Sequence, residues 1–293
     1  MPVARESKIQ PSIKTLQAPS LARIPWLLHG FSTRPGGSSR AYGGGTLNLG
    51  FTASDSKAAV VRNRQAFVAA LNKGRKTSWE LVVLQQIHSD LIHLISAGLK
   101  HPRAGDGLIT DTPGLLLAVL TADCLPVILA DPKRRAIGVF HAGWRGTIKR
   151  IVVKGIGEMI RHFGSDPAQL RAAIGPGIRG CCYQVGPEVK TKFESQFAYG
   201  AELFRETKET NEIHERYPLL FLTARAPGHS ELPKKIFLDL AEANRRQLLD
   251  AGVHARNISD LAICTSCNPQ LFFSHRADQG RTGRMMAIAG IRA

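Results

Sequence analysis

The chain predicts a mixed α+β fold, because strand-like runs outnumber helical stretches and the two are not evenly interleaved. Short apolar runs, rich in β-branched residues, recur at residues 81–84, 115–121, 125–129, 136–140, 171–174 and 285–291. Helical spacing marks residues 56–71, 147–163 and a stretch that begins near Ile236. A length of 293 residues, with 43% hydrophobic and 21% charged content, suits a soluble globular enzyme of one large or two small domains.

From the N-terminus, residues 1–21 are polar, carry scattered Lys and Pro, and lack the apolar core of a signal peptide, so they read as a loose arm. Residues 29–37 follow a short apolar run and end in glycines. That pattern fits a hairpin tip, and equally a loop whose Arg34 approaches an anion. A second turn, Thr46-Leu47-Asn48-Leu49-Gly50, follows it. Residues 56–71 place Ala59, Val60, Phe67, Val68 and Leu71 on one helical face and read as scaffold. Gly164 and Gly252 are the expected stops of the two later helices. Residues 200–230 are poorly periodic and carry no assigned chemistry. Arg276 and Arg284 precede the last strand, either as a clamp for phosphate or carboxylate or as buried structural arginines, the second reading being preferred for Arg284.

The stretch that carries chemistry runs from Gln85 to Thr147. The run 81–84 leads directly into Gln86 and His88, so His88 stands where a strand ends. The run 115–121 stops at Asp123-Cys124, before Pro126, whose missing amide donor should break the strand or confine it to an edge. The run 136–140 leads into His141-Ala142-Gly143-Trp144-Arg145-Gly146, where the glycines permit a tight turn. Imidazole and thiolate bind zinc or copper well, and three protein ligands with an open position make the catalytic form of a zinc site. The ligands lie 36 and 17 residues apart, which matches no short zinc-finger spacing, so only the fold could assemble them. Taken singly, each histidine reads as satisfied by a carbonyl and Cys124 as a small buried hydrophobe. A metal-free nucleophile, Cys124 activated by His88 or His141, is a further reading.

Net charge is +16 and the pI is near 10.1, which favours anionic partners. The basic residues are scattered, aromatics make up 6%, and no nucleic-acid-binding motif stands out, so a solvated surface is the simpler account. Five cysteines are an odd number and read as reduced thiols, Cys264 and Cys267 forming a lone CxxC. The longest apolar runs, cut by Asp123 and Pro126, fall short of a bilayer span, and a cytoplasmic protein with no membrane partner is expected.

The segments QQIHSD, TADCLPV, HAGWRGT, IGPGIRGCCYQV, CTSC and FFSHRADQGRTGRMMAIAGI follow one another in an order that resembles the bacterial multicopper polyphenol oxidase, or laccase-like, family. This is also called the YfiH or peptidoglycan-editing-factor family, and the resemblance extends from about His29 to the C-terminus. It implies mixed β-sheets sandwiched between helical layers, in a single YfiH-like catalytic domain over residues 22–293. It implies that His88, Cys124 and His141 bind one metal, zinc or sometimes copper. The loops with Arg34 and Asn48 would border the pocket, and Gln86 and Arg276 join them as substrate-binding candidates. The activity implied is a zinc-dependent purine nucleoside phosphorylase that splits adenosine, inosine and methylthioadenosine with phosphate, with adenosine deaminase activity beside it. The alternatives are a hydrolase editing a cytoplasmic peptidoglycan precursor, a laccase-like polyphenol oxidase, and a basic nucleic-acid-binding protein with a structural metal. One mononuclear site and ten histidines with no His-x-His pair place the oxidase last.

Overall fold

The computed structural model of the chain describes residues 12–73, 75, 78–208 and 234–293. In chain order the first elements are β1 (Thr15–Leu16), α1 (Pro19–Ala22), β2 (Leu27–Ser32), β3 (Pro35–Ser39), α2 (Lys57–Asn72), β4 (Glu80–Val83) and β5 (Ile92–Leu94). There follow β6 (Gly107–Thr110), β7 (Leu115–Thr121), β8 (Leu125–Asp131), β9 (Ala136–Ala142), α3 (Trp144–Ile148), α4 (Ile151–Phe163) and β10 (Arg171–Ile174). The remainder comprises β11 (Gln184–Val185), α5 (Pro187–Gln196), β12 (Phe204–Lys208), β13 (Lys234–Leu238), α6 (Leu240–Asp250), β14 (Ile258–Asp260) and β15 (Met285–Ile291). One compact unit holds the described residues through Arg179 together with Leu240–Ala293; a second holds those from Gly180 to Asp239.

In the first unit one sheet has the strand order β1-β2-β15-β7-β4 and the other β14-β10-β8-β9-β6-β5. Both are mixed. In the first, β4 runs parallel to β7 while β15 is antiparallel to β2 and β7. In the second, β5–β6 and β10–β14 are parallel pairs beside antiparallel ones. Side-chain alternation sends Leu117, Val119, Ala287 and Ala289 of the first sheet against Ile128, Ala130, Ile137 and Val139 of the second, in one core. The outer face of the first sheet, with Leu116, Ala118, Met286 and Ile288, is covered by Phe67 and Leu71 of α2. Beyond the second sheet lies α4, where Gly155 admits the Phe140 ring; a Cβ there would stand 2.4 Å from it. Asn244 and Gln247 of α6 donate to the Thr147 hydroxyl and carbonyl, each at 2.9 Å, and tie α6 to α3. Two mixed sheets thus lie face to face between helices, the sandwich expected.

Local departures have local causes. Residues 236–238, read as the start of a helix, belong to β13: Ile236 and Phe237 pair antiparallel with β12, and the helix starts only at Leu240. The helix expected over 147–163 is two helices, divided at Arg150, whose φ of 62° cannot continue a right-handed turn. Pro126 neither breaks β8 nor marks an edge, since β8 lies between β10 and β9. Its carbonyl still takes the Gly175 N–H at 2.9 Å just past the end of β10, so the strand continues without a donor at this residue. Within the stretch read as a loose arm, Thr15 and Leu16 pair with β2, and Ala18 and Leu21 are fully buried; residues 1–11 lie outside the described residues. Residues 209–233, most of the stretch left without assigned chemistry, also lie outside them. No helix among the described residues is long and apolar enough to cross a membrane.

In the second unit β11, β13 and β12 form a small antiparallel sheet. The buried ring of Phe193, on α5, meets Phe204 edge to face with centroids 5.9 Å apart.

Candidate metal centre

His88 lies on the segment that leaves β4. Gln86 prolongs the β4–β7 pairing with its side chain, Nε2 donating to the Leu120 carbonyl at 2.8 Å and Oε1 accepting the Leu120 N–H at 2.7 Å. Two residues on, His88 adopts φ 56°, the left-handed region that few side-chain-bearing residues enter. Cys124 sits where the chain crosses from β7 in one sheet to β8 in the other, directly after Asp123 at φ 93°. The buried Asp123 carboxylate accepts from Thr265 Oγ1 at 2.6 Å and from the Arg276 N–H at 2.7 Å, which fixes that crossing. His141 is a residue of β9, in register with Pro126.

Folding brings the three side chains together. The ligand atoms of His88, Cys124 and His141 all lie within 4.8 Å of one another. Cys124 Sγ is 3.9 Å from His88 Nε2, and the two imidazoles meet edge to face with centroids 4.9 Å apart. His88 is exposed, Cys124 half-buried and His141 buried, so the cluster opens to solvent on the His88 side. Gly143 leaves the space the cluster occupies: a Cβ on it would stand 2.9 Å from Cys124 Sγ and 3.2 Å from His88 Cδ2.

Sequence reasoning missed Asp106, which is fully buried behind the cluster. One of its oxygens is 2.8 Å from His141 Nδ1, and the other accepts from the Ser89 N–H at 2.6 Å and the Ser89 hydroxyl at 2.7 Å. The available signal was the triplet Gly105-Asp106-Gly107, which fits an ordinary turn just as well. Burial works against a charge on Asp106, but the bonds from His141 and Ser89 hold its carboxyl at about 2. Burial likewise opposes the Cys124 thiolate and the His141 cation. Each charge favours the other, so the thiol comes down to about 6, and the imidazole, also bonded to Asp106, rises to about 9. The thiolate so favoured is the form that binds metal.

The donors fit zinc. Metal distances of about 2.3 Å to sulfur and about 2.0–2.1 Å to nitrogen in a tetrahedron separate the two ligand atoms by about 3.6 Å, close to the 3.9 Å between Cys124 and His88. With Nδ1 of His141 on Asp106, its Nε2 remains for an ion. Two imidazoles and one thiolate also accommodate copper.

Residues 28–292 match the family model described as multi-copper polyphenol oxidoreductase laccase. The chain belongs to that laccase family. It is 37% identical over 284 residues to a protein of Deinococcus radiodurans named purine nucleoside phosphorylase, covering 96% of this chain and 94% of the relative. It is 32% identical over 275 residues to purine nucleoside phosphorylase YlmD of Bacillus subtilis, covering 91% and 89%. Among solved structures, a hypothetical protein YfiH of Bacillus licheniformis superposes with a TM-score of 0.78 at 33% identity, over 96% of this chain and 97% of that one. YlmD of Geobacillus stearothermophilus superposes with a TM-score of 0.78 at 31% identity, over 99% and 98%.

In this laccase-family chain the other expected site residues separate into two groups. Gln86 and Arg276 each lie one short link from the cluster, Gln86 through the turn to His88 and Arg276 through its N–H to Asp123. Arg34 and Asn48 are committed to the fold. Arg34 donates to the Pro269 and Tyr42 carbonyls, pairs with Asp278 at 3.3 Å and lies over the Phe273 ring. Asn48 is fully buried; its Nδ2 donates to the Gly50 carbonyl and the Asp55 carboxylate, and its Oδ1 accepts from the Arg284 N–H at 2.9 Å.

Proposed function

We propose that this protein is a zinc-dependent purine nucleoside phosphorylase that splits adenosine, inosine and methylthioadenosine with phosphate and deaminates adenosine as a side activity. One observation carries the reading: a convergent His88–Cys124–His141 cluster, open on one side, in a chain whose relatives at 37% and 32% identity bear the phosphorylase name. Zinc held by these three side chains would supply a Lewis acid and a water of lowered pKa. Phosphorolysis asks the protein to bring a phosphate oxygen to the ribose C1′ as the purine departs, a matter of orientation and charge. Arg276, exposed and anchored by its backbone N–H to Asp123 beside Cys124, is the residue we assign to phosphate. Gln86 holds the His88 turn to β7, and Arg34 and Asn48 brace the loops on which they lie. A thiolate ligand calls for a reducing compartment, and we place the enzyme in the cytoplasm.

Purified protein given inosine and phosphate should release hypoxanthine and ribose 1-phosphate, and Cys124→Ala should lose bound metal and turnover together. Full turnover in that variant would overturn the reading. The description of the family favours a second reading, phenol oxidation by a copper-loaded form. Oxygen uptake with a phenolic substrate tests it, and none is expected at a rate comparable to phosphorolysis.

A further inference from the structure

The Asp106 carboxylate reaches two of the three cluster residues from behind. Oδ1 accepts from His141 Nδ1 at 2.8 Å and from the His88 N–H at 3.1 Å. Oδ2 accepts from the Ile87 N–H at 3.2 Å, the Ser89 N–H at 2.6 Å and the Ser89 hydroxyl at 2.7 Å. The Asp106 carbonyl takes the His141 N–H at 2.8 Å, so this one residue grips His141 by backbone and by ring. Three successive N–H groups, from Ile87 to Ser89, converge on one buried carboxylate, which makes the turn an anion nest with the anion built into the chain.

We infer that Asp106 is a positioning residue that holds both histidines of the cluster in ligating geometry, His141 through its ring tautomer and His88 through the conformation of its turn. The inference rests on the metal-binding half of the proposed function and is indifferent to which nucleoside is split. Two physical arguments support it. A carboxylate at Nδ1 requires the proton there, which leaves the Nε2 lone pair of His141 for an ion and stops the ring from turning. His88 is held at φ 56°, a conformation that a free chain disfavours. Hydrogen bonds to a charged acceptor are the strong kind, and the nest supplies them on both sides of that residue. Asp106 touches no reacting atom in this scheme; it acts through the two imidazoles.

The test uses the full chain with Asp106→Asn, which keeps shape and removes charge, and Ser89→Ala, which deletes one bond to Oδ2 of the same carboxylate. Zinc affinity is read by chelator competition, coordination by the visible spectrum of the cobalt-substituted protein, and folding by circular dichroism. Asp106→Asn should fold and bind zinc about 10- to 100-fold more weakly, the range found for such supporting partners. Its cobalt bands should shift and weaken, which a role confined to stabilising the turn would not produce. Zinc affinity within about twofold of the parent, with an unchanged cobalt spectrum, would overturn the inference. If Asp106→Asn does not fold, Ser89→Ala decides: a loss of affinity of a few fold supports the role, and parental affinity and spectrum refute it. Weakened metal binding in a protein that never splits nucleosides would leave the positioning role standing and remove the phosphorylase reading.

Discussion

At Gly143 the cluster leaves no room for a side chain, since a Cβ would press on Cys124 Sγ at 2.9 Å and on His88 Cδ2 at 3.2 Å. Gly143→Ala should therefore fold yet shift the Cys124 sulfur and the His88 ring; if the cluster is the catalytic centre proposed above, kcat falls, by up to about a hundredfold where the shift approaches about 1 Å. Parallel measurement of zinc content and turnover checks it, and a fully active variant would contradict the packing. His29 carries a different lesson. It lies in β2 at 1% exposure, its Nε2 accepts the Ala18 N–H at 3.0 Å, and burial holds its pKa at about 4 rather than 6.5. Between these values the unfolded chain binds a proton that the folded chain refuses. Stability from this site is thus complete above pH 6.5 and is lost as pH falls towards 4, by roughly 3 kcal/mol in all. Urea titrations across that window should show the fall, and His29→Gln, which can still accept from Ala18, should flatten it; parallel slopes for the two proteins would count against the assignment.

Among elements, four of the six strand runs legible in advance are buried on both faces. β7, β8, β9 and β15 lie inside the sandwich, so each reads as an unbroken apolar run. β13 escaped notice because Ile236, Phe237 and Leu238 adjoin a real helix, and an apolar triplet fits either period. What ties it into a strand is pairing with β12, a partner separated from it in the chain. The contact of α4 with β9 depends on one absent side chain. Gly155→Ala would place a methyl 2.4 Å from the Phe140 ring, and overpacking of that kind costs about 1–3 kcal/mol. A lowered urea midpoint with an unchanged slope is the expected result.

For the molecule as a whole, an ion in the cluster would act as a cross-link. His88 follows a strand of one sheet, Cys124 lies on the crossing between sheets, and His141 belongs to a strand of the other. An ion held by all three binds the folded chain and not the unfolded one. Zinc at a hundred times its Kd should then stabilise the protein by about 2.7 kcal/mol. Thermal scans over a zinc series and with excess chelator measure this, and a melting temperature independent of zinc would mean that the cluster holds none.

The amino-acid order determined the fold class, most strand and helix positions, and the identity of the three cluster residues, because period, burial and motif are properties of neighbouring residues. Tertiary structure decided what those residues meet. His88, Cys124 and His141 stand 36 and 17 positions apart and come within 4.8 Å of one another only because two sheets stack face to face and their strand ends coincide. The same stacking placed Asp106 behind them, and loop packing engaged Arg34 and Asn48 with the fold. Hydrogen-bond partners distant in the chain leave no local period, and so no trace in the sequence, until the backbone brings them together.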